Sequence, residues 1–520
     1  MGRAKKERRQ RRVAPAPAVT PAAVAARPRV PAAVKLLLAA AVVVLLFLAV
    51  RVAAPEPWSY DEYYHLGMAR EMRTHLRIDS FRWTPFSLAY DHFADGEPLF
   101  HLLLLPFARL RLESAALAGV LLGQLFLVGA FAWALWALCA PRPWWFLLAL
   151  PALGTLFLQR LEMCRPHVWL IGFTVLVVAL LAERRWRALA VACALFGLAH
   201  AGGWIAMPLA GLWMLAGVVS SDGPGGRGRS VRAALADGWP AIAAAAGGWL
   251  VGQLVHPEVP ENFRLLAIVN FVIPFQATAA GDAALHSQLG TELAPPGAGV
   301  LIDQWPAFVP ALLVLLALAR GGAVRTRAAL TATVAGVAFL LVGTFAIRRF
   351  FELGAPLALL ALAIALRERQ RAGLPPLLPA GRWLAATAIL VGSLWTLATL
   401  GSYGFGRVSA PLGMARWLGE HGSPGERVFT AQWGDAAPLF YCAPQLQSLV
   451  ALDPTVFYLK DPRAFADYVR VVEGRDPQPA HTIRQRFGAR WVTLWRMPVF
   501  ERLARQLFAA SGTKIAYSDD

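Results

Sequence analysis

Apolar residues in this chain fall in long runs separated by short basic connectors. A helix needs ~20 largely apolar residues to cross the hydrocarbon core of a bilayer. Runs near that length occur at Lys35–Ala53, Ser114–Cys139, Trp144–Gln159, His167–Ala182, Ala188–Leu198, Trp204–Val219, Trp239–Val255, Gln304–Ala319, Ala328–Ile347, Gly354–Leu366 and Trp383–Leu400. The pattern predicts an all-α polytopic membrane protein with about 11 transmembrane helices. Pro98-Leu-Phe-His-Leu-Leu-Leu-Leu-Pro106 is apolar but too short to span, and reads as an interfacial helix leading into the second span.

The connectors set the expected topology. With a cytosolic N-terminus, the inner segments hold Arg142, then Arg184, Arg185 and Arg187, then Arg227, Arg229 and Arg232, then Arg320, Arg325 and Arg327, then Arg367, Arg369, Arg371 and Arg382. That bias is the positive-inside signal. Arg165, Arg264 and the Arg348–Arg349 pair break it by falling on the outer side. Residues 1–34 read as a disordered basic cytosolic tail, and the first apolar run lacks the small-residue exit of a cleaved signal. Residues 35–400 form the multi-span part, with outer loops at 55–113 and 256–303.

The C-terminal stretch 401–520 has ordinary polar composition. Arg427–Thr430, Gln447–Leu452 and Arg490–Leu494 read as short strands between helical patches, hence a small α/β extracytoplasmic domain. No repeat of solenoid period is visible.

Composition agrees with this reading. Of 520 residues, 57% are hydrophobic and 16% charged, too apolar for a soluble globular chain. The net charge of +18 resides in the connectors, as topology signals do, which argues against a nucleic-acid partner. Cys139, Cys164, Cys193 and Cys442 show no metal or disulfide spacing. Cys164 and Cys442 fall on the same side and are expected as buried free thiols.

The candidate chemistry gathers in the outer loops. Trp58-Ser-Tyr-Asp-Glu-Tyr-Tyr-His65 places Asp61, Glu62 and His65 just beyond the first span, among rings that favour the bilayer boundary. Asp91-His-Phe-Ala-Asp95 adds His92 and two carboxylates that a helix would put on one face. Neighbouring carboxylates can share a divalent cation, or one can act as a general base. Solvated loop acids are the plain alternative. Arg160-Leu-Glu-Met-Cys-Arg-Pro-His167 supplies Glu162 to such a site and Arg165 to a phosphate, against a local Glu162–Arg165 pair. Arg348 and Arg349 offer bidentate donors to a phosphate, or snorkel to ordinary headgroups. Lone His200, His256 and Glu292 are weaker signals. Gln432-Trp-Gly-Asp435 sets Trp433 and Asp435 after a strand, where they can bind an acceptor or simply make a turn.

Taken together, these residues resemble the GT-C class of membrane glycosyltransferases, which take sugars from polyprenyl-phosphate carriers. Asp61-Glu62-x-x-His65-Leu with Ala69-Arg-Glu-Met72 is similar to the first-loop acidic motif of that class. Glu97-Pro-Leu-Phe-His-Leu is similar to the Pro-Pro-Leu stretch of the protein mannosyltransferase and aminoarabinose transferase branches, without the lysine common before it. Arg348-Arg-Phe-Phe-Glu352 with Pro356 resembles a late outer motif of oligosaccharyltransferases. Those enzymes carry Trp-Trp-Asp-Tyr-Gly where this chain has Gln432-Trp-Gly-Asp-Ala436.

The resemblance implies an inverting glycosyltransferase that moves a sugar from a polyprenyl-phosphate-linked donor to a protein, lipid or glycan acceptor. The reaction would take place at the outer face of the cytoplasmic (inner) membrane, among membrane lipids. Asp61 would deprotonate or orient the acceptor. Glu62, Asp91 and Asp95 would tune Asp61 or, with it, hold a divalent cation such as Mg or Mn. Arg165, Arg348 and Arg349 would stabilise the departing phosphate. The competing class is a transporter, flippase or lipid-binding scaffold. Such a protein should show paired, broken spans and midplane charges, whereas these acids lie in outer loops.

Overall fold

The computed structural model describes residues 30–222, 230–276, 281–320, 324–377, 381–403, 411–450 and 453–519. The expected basic tail therefore lies outside the described residues up to position 29, as do Arg227, Arg229 and the Ala451–Leu452 end of one expected strand.

Among the described residues, six helices are long and apolar enough to cross a membrane: Ala32–Ala53, Leu112–Ala137, Ala201–Val219, Arg327–Phe345, Arg348–Arg371 and Trp383–Ser402. Pro98–Phe107, His167–Ala182, Trp186–Ala199 and Trp305–Ala319 are apolar but shorter. Two expectations change here. The run Trp144–Gln159 is not one span but two short helices, Pro143–Leu148 and Thr155–Leu161, joined by a 3-10 turn at Leu150–Ala152. Pro151 cannot donate a helical hydrogen bond, and Gly154 adopts φ +102°, a conformation that costs a side-chain-bearing residue strain. The Val231–Leu254 helix is long enough to span but rich in Ala and Gly. Gly248 and Gly252 lie so close to the backbone of Ala190 and Ala194 that a Cβ would collide with their carbonyls. Small residues thus let this helix seat tightly on the shorter Trp186–Ala199 helix, as is common where helices pack in lipid.

The Phe351–Arg371 helix is central, with nearly all of its apolar residues buried. The Val30–Ala53 helix is peripheral and leaves Leu37, Leu38 and Leu45 exposed, as a lipid-facing helix does. Arg184 and Arg327, from separate arginine-bearing connectors, both meet Asp237, at 2.9 and 2.5 Å, which brings those connectors to one end of the bundle.

The C-terminal part carries a parallel sheet of three strands in the order β2-β1-β3. These are β1 (Arg427–Thr430), β2 (Gln447–Ser448) and β3 (Ala489–Thr493). The 55–113 segment is packed against it. Trp83 Nε1 donates to Pro444 O at 2.7 Å, Ser448 N donates to Trp83 O at 2.7 Å, and Lys460 pairs with Asp91 at 2.5 Å. Met68, Phe81, Trp83 and Phe93 share a core with Phe440. The cysteines are free; Cys164 is buried as expected, while Cys442 is half-buried.

Candidate functional site

The site starts from the Tyr60–Met72 helix. Ser59 caps it by accepting from Asp61 N at 3.1 Å, and Asp61 and Glu62 in the first turn complement the helix dipole. Adjacent helical residues point about 100° apart. Asp61 and His65, one turn apart, both line a cavity of about 580 Å³. Glu62 turns inward instead. It is fully buried, accepts from Arg51 Nη2 at 3.0 Å, and takes backbone N–H groups of Trp58 and Cys164 at 3.2 Å each.

Across the cavity from this helix stand charged groups from the turn after Leu161 and from the later loops. Arg165 pairs with Asp61 and, at 3.5 Å, with Glu292. Arg160 bridges Glu292 at 2.8 Å and Glu352 at 2.7 Å. Arg349 contacts His167 Nε2. Against the burial that raises it, the guanidinium groups of Arg165, Arg160 and Arg349 hold the Glu292 carboxyl well below its ordinary value. Arg165 Nε, His167 Nδ1 and His200 Nε2 are buried without hydrogen-bond partners. Unpaired buried donors and acceptors are costly, and such atoms beside a cavity are suited to a ligand. Much of the remaining wall is apolar, with Leu170, Leu265, Ile268, Ile273, Ile347 and Leu353 among its residues.

A second network lies behind the Asp61 face. His65 Nδ1 sits 2.8 Å from His101 Nε2, and His101 Nδ1 sits 2.6 Å from Asp95 Oδ2. Asp95 O is 2.9 Å from His256 Nε2, whose Nδ1 lies 3.2 Å from Glu258. Burial, then the neighbouring Asp95 charge, pushes the Glu97 carboxyl up to about 7.

The other expected residues divide clearly. His92 lines the cavity rim, 3.3 Å from Glu261, and Trp433 lines it while donating to Gln288 O at 3.0 Å. Asp435 is buried beside it, 3.0 Å from Trp495 Nε1 and 3.2 Å from Thr493 Oγ1. Burial pushes its carboxyl up to about 7 despite those two donors. Glu162 lies away from the cavity, 3.2 Å from Gln124 Nε2, so it makes no pair with Arg165. Arg348 is half-buried and is not part of the cavity wall.

Asp91 and Asp95 do not share a helix face. The Leu88–Asp91 helix ends at His92, with φ −139° and ψ 68°, leaving Asp91 exposed on Lys460 and Asp95 buried on His101. A divalent cation on Asp61, Asp91 and Asp95 does not fit this arrangement, since each carboxylate faces a different cationic or histidine partner. Among the described residues, no group of three or more His, Cys, Asp or Glu side chains is placed to hold an ion.

Sequence reasoning passed over His101, Arg160 and Glu352. A lone histidine inside the apolar stretch Pro98–Pro106 was the available signal for the first. Arg160 and Glu352 are 192 positions apart, and no local spacing announces their pairing.

No protein-family model and no curated protein sequence matches the chain. Solved structures do. The archaeal oligosaccharyltransferase AglB from Archaeoglobus fulgidus, in complex with an inhibitory peptide and a dolichol-phosphate, superposes with TM-score 0.54 at 12% identity, over 85% of this chain and 68% of that one. The apo form of the Archaeoglobus fulgidus oligosaccharyltransferase gives TM-score 0.53 at 13% identity, over 81% of this chain and 64% of that one. The chain thus spans about two thirds of the length of these proteins. Over most of its own length, it shares the fold of these oligosaccharyltransferases.

Proposed function

We propose that the chain is an integral-membrane inverting glycosyltransferase that moves a sugar from a polyprenyl-phosphate-linked donor to an acceptor. The observation that carries this reading is the cavity. Asp61, Arg165, Glu292 and Arg349 line it together with many apolar residues, Leu170, Leu265 and Ile268 among them. A carrier lipid presents the same two kinds of surface, a charged phosphate and an isoprenoid chain. The solved relative of the same fold was captured with a dolichol-phosphate and a peptide, which supports a lipid-linked donor and a peptide acceptor here.

In this reading, residues 1–34 are cytosolic, residues 35–400 carry the spans, and residues 401–520 lie outside the inner membrane. Arg165 and Arg349 neutralise the phosphate as its bond to the anomeric carbon breaks, an electrostatic role for preorganised donors. Asp61 orients or deprotonates the acceptor, which attacks from the face opposite the phosphate and so inverts the centre. Trp433 and His92 border the acceptor side.

The test is Asp61→Asn in inserted, full-length protein. Transfer from a radiolabelled polyprenyl-phosphate sugar should fall by ~10²-fold or more. Undiminished transfer would remove Asp61 from the reaction.

A further inference from the structure

The Asp61 carboxylate is occupied by the Arg165 guanidinium, which leaves open where the acceptor's proton goes. We propose that His65 takes that proton at Nε2 and that His101 and Asp95 form the positioning chain that receives it. The inference rests on the transferase reading above.

The order of hydrogens in the chain follows from what each atom can do. An ionised carboxylate only accepts, so His101 Nδ1 donates its hydrogen to Asp95 Oδ2 across 2.6 Å. His101 Nε2 is then the accepting nitrogen, and His65 Nδ1 donates to it across 2.8 Å. That fixes the His65 tautomer and leaves its Nε2 lone pair as the free corner of a ring that lines the cavity. Asp61 lies one helical turn away on the same wall, where its pair with Arg165 sets that guanidinium beside the reacting centre.

The step balances. The acceptor atom X bonds to the anomeric carbon as the carbon–oxygen bond to the phosphate breaks, and that electron pair stays on the phosphate oxygen. The X–H proton passes to His65 Nε2. His65 then gives its Nδ1 proton to His101 Nε2, and the resulting imidazolium is paired with Asp95.

The surroundings suit this direction of travel. Burial first, then the charges of His101, Arg165 and His200, holds His65 well below its ordinary value, so it stays neutral. For His101, burial works against protonation, but Asp95, Glu97 and Glu258 outweigh it and leave the ring above its ordinary value. Asp95 is itself fixed from behind by His256 on its carbonyl and by the Glu97 N–H, which donates to Oδ1 at 3.0 Å.

Two measurements test the proposal. In the first, full-length wild-type protein in liposomes is treated with diethyl pyrocarbonate at pH 7, and its histidine peptides are weighed. His65 should be modified, as should exposed His75, whereas His101, with both nitrogens engaged, should not. Added polyprenyl phosphate should protect His65. An unreactive His65 beside a modified His75 would overturn the proposal without any variant.

In the second, His65→Gln should lower kcat by ~10²-fold at an unchanged donor KM. Asp95→Asn should lower kcat by at least ~10-fold and move the acid limb of its pH profile to lower pH. Removing the carboxylate makes His101 give up its proton more easily, an effect that mere loss of folded enzyme would not produce. Full kcat in His65→Gln, or an unmoved limb in active Asp95→Asn, would overturn the chain. Absence of any transfer by wild-type protein would instead count against the transferase reading, and the labelling result would then decide the His65 geometry.

Discussion

At the scale of single residues, helical geometry decides which candidates reach the cavity. Asp61 and Glu62 are neighbours in sequence, yet Asp61 lines it while Glu62 is buried on Arg51, and His65 shares the Asp61 face because it lies four positions on. The grouping of these residues just beyond the first span was legible in the sequence. The Glu62–Arg51 pair and the separation of Asp91 from Asp95 were not, because the first depends on a partner from another helix and the second on a helix that stops at His92. Arg349→Ala should weaken binding of a polyprenyl phosphate by about 10-fold or more, the worth of a charge-assisted hydrogen bond. Unchanged affinity by titration would leave Arg349 as a headgroup anchor. Asp435 supports a pH prediction. Its folded carboxyl titrates near 7, above its unfolded value of 3.8. The folded state therefore holds the proton longer, and stability falls as pH rises from the unfolded value through the folded one. Asp435→Asn should flatten that fall, making the protein more stable than wild type at pH 8 by roughly 1–2 kcal/mol. Equal thermal midpoints for the two proteins at pH 8 would contradict the burial argument.

At the scale of elements, apolar run length locates helices but does not show which of them cross the membrane singly. The runs at Lys35–Ala53 and Trp383–Leu400 became long helices, while Trp144–Gln159 broke at Pro151 and Gly154, both visible in the sequence as breakers. The Val231–Leu254 helix depends on glycines whose purpose appears only in the packed structure. Gly252→Val should destabilise the protein by about 1–3 kcal/mol, because its side chain would be driven into the Ala194 carbonyl. Gly247→Ala, five positions earlier and facing open space, is the control and should be neutral or stabilising in the same thermal assay. Equal losses from both substitutions would show that the close approach of the two helices does not matter. Strands β1 and β3, by contrast, were legible to within a residue, since short β-branched and aromatic stretches bounded by turn residues leave few alternatives, whereas β2, at Gln447–Ser448, is shorter than expected.

At the scale of the whole molecule, the 55–113 segment and the C-terminal part form one packed unit. Trp83 is the clearest joint, buried in the core that it shares with Phe440 and hydrogen-bonded to Pro444. Trp83→Ala should cost about 3–5 kcal/mol and speed proteolytic cleavage within residues 411–519, read on a gel. Unaltered cleavage would mean that the two parts hold separately. This joint sets the Tyr60–Met72 helix, and Asp61 with it, against the arginines of the later loops. No single stretch of sequence encodes that arrangement, which is why the cavity could be expected in kind but not in outline. The most direct test of the account is the lipid that the protein retains. Mass spectrometry of carriers that copurify with the full chain should find a polyprenyl phosphate bearing a sugar, and that species should be depleted from Arg349→Ala. Recovery of ordinary phospholipids alone from both proteins would contradict the claim that this cavity holds a lipid-linked sugar donor.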